Sequence, residues 1–153
     1  MPLHGAVLDA ARVTPGTRLL DAGCGAGLLA LLASLRGACV SALDASAALL
    51  AVARERLPAA DVREGDLEAL PFADASFDAV TAVNSIFYAS EMSAAVRELG
   101  RVARPGGRLV VTAWGPPERC EPPRGRAVAR RAADAAPAAG REARTPGRAV
   151  RAG

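Results

Sequence analysis

Between Arg18 and Trp114 the sequence alternates short apolar stretches with helical patterns, and this alternation limits the possible folds more than any other feature. The apolar stretches predict strands over 18–21, 39–44, 61–64, 77–84 and 108–114. The intervening patterns predict helices over 28–36, 46–57 and 92–103, after a first helix over 3–12. Parallel strands need a crossover connection, which these helices supply. The pattern therefore predicts a three-layer, doubly wound α/β domain with a mostly parallel sheet and five evident strands.

The composition changes sharply after Trp114. Residues 1–114 hold 10 Arg against 12 acidic residues, whereas residues 115–153 hold 9 Arg against 4. Val128 and Val150 are the only Leu, Ile, Val or Phe residues of that second segment. So few large apolar side chains cannot offset the entropy lost on ordering a backbone. We therefore expect residues 1–114 to form the folded domain and residues 115–153 to be a disordered tail rich in Arg, Ala and Pro.

Other features exclude several classes of protein. The three cysteines have no CxxC spacing and are odd in number, which argues against a disulfide scaffold and against a zinc site, so no metal is expected. The first residues lack the basic and long apolar regions of a signal peptide. The apolar run over residues 28–35 is far shorter than the roughly 18 residues of a membrane helix. We expect a cytoplasmic protein with no membrane partner.

A glycine-rich segment, DAGCGAG, follows the first predicted strand. Gly23, Gly25 and Gly27 would let the backbone turn sharply and approach a ligand closely, and the helix that opens at Gly27 presents free N–H groups. The spacing is G-x-G-x-G, not the G-x-G-x-x-G of dinucleotide-binding loops. Asp21, just before the loop, opposes a pyrophosphate and suits a cation, and Asp44 ends the next strand, where an acid can bind ribose hydroxyls. The two acids describe a ribonucleoside ligand with a cationic arm, and the glycine spacing together with Asp21 disfavours a nicotinamide-dinucleotide enzyme.

Five segments carry a family resemblance: DAGCGAG, Asp44, GDLEALPF, FDAVTAVNS and RPGGRLVV. In this order and spacing they resemble the class I S-adenosylmethionine-dependent methyltransferases, and among them the small-molecule domain often called type 11. The resemblance extends from about Pro15 to Trp114. It implies a Rossmann-like fold, S-adenosyl-L-methionine as cofactor, and methyl transfer to a small-molecule acceptor. The alternative is a truncated or frameshifted remnant that binds the cofactor without turnover.

The resemblance also assigns roles to residues. Asp21 would lie beneath the methionyl amine, and Asp44 would bind the ribose hydroxyls. Asp66 would accept the adenine amino proton. The cofactor-binding residues so implied are Asp21, Gly23, Cys24, Gly25, Gly27, Asp44, Ala45, Asp66, Leu67 and Asn84, with Ser85 beside the last of these. Simpler roles stay open for three of them: Asp44 as a cap of the following helix, Asp66 as a turn residue, and Cys24 as a small packing residue.

The sequence does not identify a catalytic residue. A general base is needed only if the acceptor loses its proton during attack. His4, the only histidine, could serve if the first helix covers the pocket, but a surface position is the simpler expectation. Tyr88 follows the fourth strand, where an acceptor could approach, and Phe87 or Tyr88 could equally form an apolar wall.

The segment after Trp114 departs from the family, which normally adds two more strands and a helix there. Isolated valines and six prolines in residues 115–153 predict that these last two strands are missing, which would leave the fifth strand as an exposed edge. We hypothesise a frameshift near Pro122 in a GC-rich gene, the alternative being a natural disordered tail. Nucleic-acid binding is disfavoured, because the Arg-rich tail lacks aromatic residues that stack on bases. No specific protein partner is implied.

Overall fold

The computed structural model describes residues 2–114 and the backbone of residues 126–131. Its helices are α1 (Pro2–Ala10), α2 (Leu28–Leu35), α3 (Ala47–Arg56) and α4 (Met92–Val102). Its strands are β1 (Arg18–Ala22), β2 (Cys39–Asp44), β3 (Asp61–Glu64), β4 (Phe77–Val83), β5 (Ala103–Ala113) and β6 (Arg126–Arg131). The strands β1 to β4 and the four helices agree with the predicted elements to within two residues at each end.

The strands form one sheet in the order β3-β2-β1-β4-β5-β6. The first five are parallel, and β6 runs antiparallel to β5. The chain moves outward from β1 through β2 to β3, and then returns to the other side of β1 with β4. In an open parallel sheet, ligands bind beyond the carboxyl ends of the strands at such a reversal of strand order. The site is therefore expected beyond Ala22, Asp44 and Val83. The strand order is that of the predicted doubly wound, Rossmann-like architecture.

Apolar side chains cover both faces of the sheet. As a result, nearly all residues of β1 and β4 are buried, whichever face they point to. One core cluster joins α1 and α2 to the sheet, through Val7 and Leu29 on the helices and Leu19 on β1. The other joins α4, through Leu99, to Val80 on β4. The two layers of helices thus hold the central strands between them, and the loops at their carboxyl ends have a rigid base.

The sixth strand corrects one prediction. No strand was expected after Trp114, yet residues 126–131 pair with β5 over the register from Arg108↔Arg131 to Ala113↔Arg126. A strand edge exposes a row of N–H and C=O groups, and a backbone ladder can pair with that edge without large apolar side chains. The expected exposed edge of β5 is therefore covered over these residues. The remainder of the predicted disordered tail, 115–125 and 132–153, lies outside the described residues.

The start of β5 also differs from the sequence prediction, which placed a turn at Pro105-Gly106-Gly107 before a strand from Arg108. The strand begins at Ala103, and its register against β4 shifts between the pairs Phe77↔Ala103 and Ala79↔Arg108. The turn residues therefore form a bulge within the strand, with Gly106 at a φ of 75°.

Among the described residues, no helix is both long and apolar enough to cross a bilayer.

The core around α4 predicts a specific pattern of stability. Leu99 is fully buried, whereas Leu35, at the end of α2, is 75% exposed. Leu99→Ala should lower the free energy of unfolding by about 2–5 kcal/mol, because it removes buried methyl groups and leaves a cavity. The matched change Leu35→Ala should alter it by less than about 0.5 kcal/mol. Urea unfolding of both variants measures the difference, and equal effects would contradict the assignment of α4 to the core.

Candidate functional site

A cavity of about 570 Å³ lies at the carboxyl ends of β1, β2, β3 and β4. The reversal of strand order places it there, between the loops that follow these strands. Its lining residues are Gly23, Gly25, Asp44, Ala45, Ser46, Leu49, Gly65, Asp66, Leu67, Asn84, Ser85, Tyr88 and Ala89. Seven of the ten residues implied as cofactor-binding are in this set, and Asp21, Cys24 and Gly27 are not.

Glycine is required at the first position of the loop after β1. Gly23 has a φ of 72°, and a Cβ there would lie 2.2 Å from the Cβ of Ser85. The Gly23 and Cys24 amides both donate to the Leu43 carbonyl, at 2.7 and 2.9 Å. This glycine loop forms the first wall of the cavity. It is held between the end of β2 and the segment after β4. Gly25, by contrast, has open space where its Cβ would be.

Asp44 connects the glycine loop to the start of α3. Its Oδ2 accepts a hydrogen bond from the Gly25 amide at 2.7 Å, and its Oδ1 accepts one from the Ser46 amide at 2.9 Å. Ser46 itself caps α3, where its side chain accepts from the Leu49 amide. Asp44 therefore does support the helix start, as the simpler interpretation holds, but it also lines the cavity and fixes the glycine loop.

Two other residues of the loop, Gly27 and Cys24, do not line the cavity. A Cβ on Gly27 would lie 3.1 Å from both Ala53 Cβ and Leu57 Cδ1, so this glycine allows α2 to start against α3. Cys24 is half-buried, and burial together with the nearby carboxylates of Asp21 and Asp44 raises the pKa of its thiol to about 12. The thiol therefore stays protonated at neutral pH, as suits a packing residue.

The loop after β3 forms a second wall. Asp66 Oδ1 accepts from the Glu68 amide at 2.9 Å, which closes a local turn, and both Asp66 and Leu67 line the cavity. Gly65 packs closely beneath them, since a Cβ there would lie 2.9 Å from Leu43 Cδ1. The turn role proposed for Asp66 therefore exists alongside its position in the cavity wall.

A charged pair on α4 fixes the far end of the same loop. Arg101 donates to Glu98 at 2.7 and 2.8 Å and to the Phe72 and Leu70 carbonyls at 2.8 and 3.0 Å. Glu98 in turn accepts from the Leu70 amide at 2.8 Å. The hydrogen bonds from Arg101 lower the pKa of Glu98, so the carboxylate stays ionised. The loop carrying Asp66 is thereby tied to α4.

The third wall follows β4. Asn84 has a φ of 53°, which asparagine adopts more readily than most residues, and its side-chain oxygen accepts from the Thr112 hydroxyl at 3.2 Å. The buried Ser85 hydroxyl donates to the Ala22 carbonyl at 2.7 Å. These bonds join the end of β4 to β5 and to β1, so the third wall is fixed to the sheet on both sides.

Asp21 lies under the glycine loop and is only 2% exposed. Its Oδ1 accepts from the Thr81 hydroxyl at 3.1 Å, and its Oδ2 has no hydrogen-bond partner in the described part of the chain. Burial raises the pKa of Asp21 to about 7, although the Thr81 hydrogen bond opposes this shift. The residue is thus beneath the cavity, near the position expected for it, but does not line it.

The residues considered for catalysis lie apart from one another. His4 is half-buried on α1, where burial lowers its pKa, and it does not line the cavity. Tyr88 lines the cavity with its side chain 88% exposed, and the neighbouring Phe87 is also exposed. An exposed tyrosine at the mouth can contact an acceptor, and its geometry equally suits an apolar wall.

Ser46, Leu49, Gly65 and Ala89 line the cavity without having been predicted to do so, although Ser46 was predicted to cap α3. Leu49 is an exposed leucine one turn after the Ser46 cap, and an apolar side chain on the solvent face of α3 was the signal that could have identified it. Gly65 precedes the Asp66 motif directly. For Ala89, the sequence carries no distinguishing signal.

Comparison with known proteins gives a consistent result. The family described as "Methyltransferase domain" matches residues 20–111. The chain is 42% identical over 111 residues to a demethylmenaquinone methyltransferase of Renibacterium salmoninarum, covering 72% of this chain and 47% of that protein. It is 43% identical over 104 residues to a malonyl-[acyl-carrier protein] O-methyltransferase of Erwinia pyrifoliae, covering 68% and 40%.

A solved structure shows the same fold. It is that of S-adenosylmethionine-bound CalS10, an amino pentose methyltransferase from Micromonospora echinaspora, which is 32% identical and superposes with a TM-score of 0.66. The match covers 78% of this chain and 51% of that one. The matches to the demethylmenaquinone and malonyl-[acyl-carrier protein] methyltransferases cover 47% and 40% of those proteins, so the chain spans less than half the length of these two curated relatives.

The close approach of Ser85 to Gly23 predicts that alanine is more destabilising at Gly23 than at Gly16. Gly23 and Gly16 both have positive φ, 72° and 82°, but nothing lies within 4 Å of a Cβ built on Gly16. The two Ala variants share the backbone strain, so Gly23→Ala should destabilise the chain by at least about 1 kcal/mol more than Gly16→Ala, as overpacking does. Chemical denaturation of both variants tests this, and equal losses of stability would contradict the close contact.

Proposed function

Because the chain belongs to the methyltransferase domain family, we propose that it binds S-adenosylmethionine in this cavity and transfers its methyl group to a small-molecule acceptor. The observation that carries the proposal is the carboxylate of Asp44. It is fixed at the carboxyl end of β2 by the Gly25 and Ser46 amides, in the wall of the cavity. An acid fixed at this place in a doubly wound sheet is suited to bind the two hydroxyls of a ribose.

The residues of the cavity fit this cofactor. An ionised carboxylate has about four acceptor positions, and the two backbone bonds leave the others of Asp44 free for a diol. The described lining contains two acids, Asp44 and Asp66, and no Arg, Lys or His. Such a lining suits a ligand with a cationic arm and opposes a pyrophosphate. The open space at Gly25 would let the ligand approach the backbone closely.

The chain's own contribution to the reaction is binding, orientation and exclusion of water. Bound S-adenosylmethionine would supply a methyl group that its sulfonium already activates. Leu49, Leu67 and Ala89 provide apolar walls that keep water from the ligand. Asp44 and the glycine loop would fix the adenosine portion, and the hydrogen-bonded Asn84–Thr112 pair would keep the wall after β4 in place. Orientation of this kind supplies a large part of such a rate enhancement.

The acceptor lies on the side of Tyr88 in this proposal. Tyr88 is the most exposed of the large apolar or aromatic side chains at the cavity, and Phe87 is exposed beside it. Two relatives of nearly equal similarity are named for different acceptors, a demethylmenaquinone and a malonyl-[acyl-carrier protein]. The shared domain therefore supports a small molecule or small acyl group as acceptor and does not select one.

Replacement of Asp44 tests the cofactor site. Asp44→Ala should weaken binding of S-adenosylhomocysteine about tenfold or more, since a hydrogen bond to a charged group contributes roughly 1.5–3 kcal/mol. Glu64→Ala is the matched control, because Glu64 pairs in register with Asp44 but lies outside the described cavity lining. Calorimetric titration of wild type and both variants, each shown to be folded by circular dichroism, provides the measurement. Equal affinities of the two variants would contradict the proposed role of Asp44.

Turnover is tested separately with the full chain. Incubation with methyl-labelled S-adenosylmethionine and a small hydroquinone or a malonyl thioester should place label in one of the two acceptors. Binding without transfer to any acceptor would support the alternative of a cofactor-binding remnant, and would overturn the proposed methyl transfer while leaving the binding site in place.

A further inference from the structure

Asp21 is a buried carboxyl group without a cation beside it. Its Oδ1 has one hydrogen bond, from Thr81 on β4, and its Oδ2 has none in the part of the chain that the structure describes. The charged or titratable groups near it are Asp44, at the end of β2, and the Cys24 thiol in the glycine loop. The adjacent helix α2 has the sequence LLALLASL and carries no charged side chain.

This surrounding favours the neutral acid. An ionised carboxylate that is removed from water needs a cation or several hydrogen-bond donors, and Asp21 has one hydroxyl donor, Thr81, with a smaller contribution from the Ala30 backbone amide. The negative charge of Asp44 adds to the cost. The resulting pKa of Asp21 is about 7, with burial as the largest cause and the Thr81 bond opposing it. A large fraction of the unliganded chain therefore carries a proton on Asp21 near neutral pH.

The position of Asp21 connects that proton to the cavity. Asp21 pairs in register with Ala42 of β2 and Thr81 of β4, so it lies in the central strand directly under the loop. Two residues later, the Gly23 backbone lines the cavity itself. A cation bound above the loop would be the first positive charge near Asp21, and an opposite charge at short range favours ionisation of a carboxyl group.

We propose that Asp21 exchanges its proton for the cationic arm of the ligand, so that binding of an ammonium-bearing nucleoside releases a proton to solvent. This inference rests on the proposed cofactor site. It makes Asp21 a residue that selects ligands by charge from beneath the cavity floor. In this exchange the carboxyl O–H bond breaks, its proton goes to buffer, and the carboxylate is left beneath the bound ammonium.

The sign of the pH dependence follows from this exchange. Below the pKa of Asp21 the site must lose a proton in order to bind, so affinity should fall up to tenfold for each unit decrease in pH. Above that pKa the carboxylate is already ionised, and affinity should be constant. Near pH 6 the release should approach about one proton for each ligand bound.

Calorimetry with two ligands tests the proposal on the full chain. S-Adenosylhomocysteine and 5′-methylthioadenosine share the adenosine part, but only the first carries the ammonium. Titrations from pH 5.5 to 7.5, in buffers of different ionisation enthalpy, should show proton release and a rising affinity for the first ligand. For the second ligand, affinity should stay flat with no proton release.

Three variants assign the effect to a residue. Asp21→Asn should abolish the pH dependence, and Thr81→Val should move its midpoint to higher pH, because it removes the hydrogen bond that favours the ionised form. His4→Gln should retain it, although His4 is the only histidine. A wild type that binds S-adenosylhomocysteine equally at all pH values, or a dependence that His4→Gln removes, overturns the inference alone. A folded wild type that binds neither ligand overturns the proposed cofactor site and the inference with it.

Discussion

The carboxylate of Asp44 is the interaction on which the rest of the site depends. It ends β2 and accepts one hydrogen bond from the glycine loop and one from the start of α3, at 2.7 and 2.9 Å. The Leu43 carbonyl just before it accepts two further amides of that loop. The two neighbouring crossover units are thereby joined at the carboxyl ends of β1 and β2. Removal of any one of these contacts would loosen the wall that the ligand is expected to touch.

Much of this arrangement could be predicted from the sequence, because the strands are short apolar runs between strong turn signals. Asp44 and Gly23 were identifiable from their spacing, since glycine at a positive φ and an acid at a strand end are requirements of geometry. The simpler roles weighed against the motifs were also informative. Asp44 does support a helix start, and Asp66 does close a turn.

The remaining features depend on contacts that a single sequence does not display. Whether a loop residue faces the cavity or a helix depends on what lies behind it: Gly27 faces Ala53 and Leu57, and only the packed structure shows this. The sixth strand depends on the backbone edge of β5, which has no signature in the side chains of residues 126–131.

The buried polar groups lie at the same end of the sheet as the cavity. Asp21, Thr81, Ser85 and Thr112 are the described buried polar or charged residues, and all four belong to the central strands or to the loop after β4. Three of them donate or accept bonds that hold the site, and Asp21 alone has an oxygen without a partner. A buried polar atom without a hydrogen-bond partner lowers the stability of a fold, and functional sites are where such atoms are expected.

A map of ligand contacts by nuclear magnetic resonance tests the central claim most directly. In a titration of the isotope-labelled full chain with S-adenosylhomocysteine, the amides of Gly23, Gly25, Ala45 and Leu67 should show the largest chemical-shift changes, because all four line the cavity. The amides of Gly16 and Gly106, which lie at the amino ends of the strands, should show no change in chemical shift. Changes concentrated at the amino ends of the strands, or no changes in a folded chain, would contradict the account.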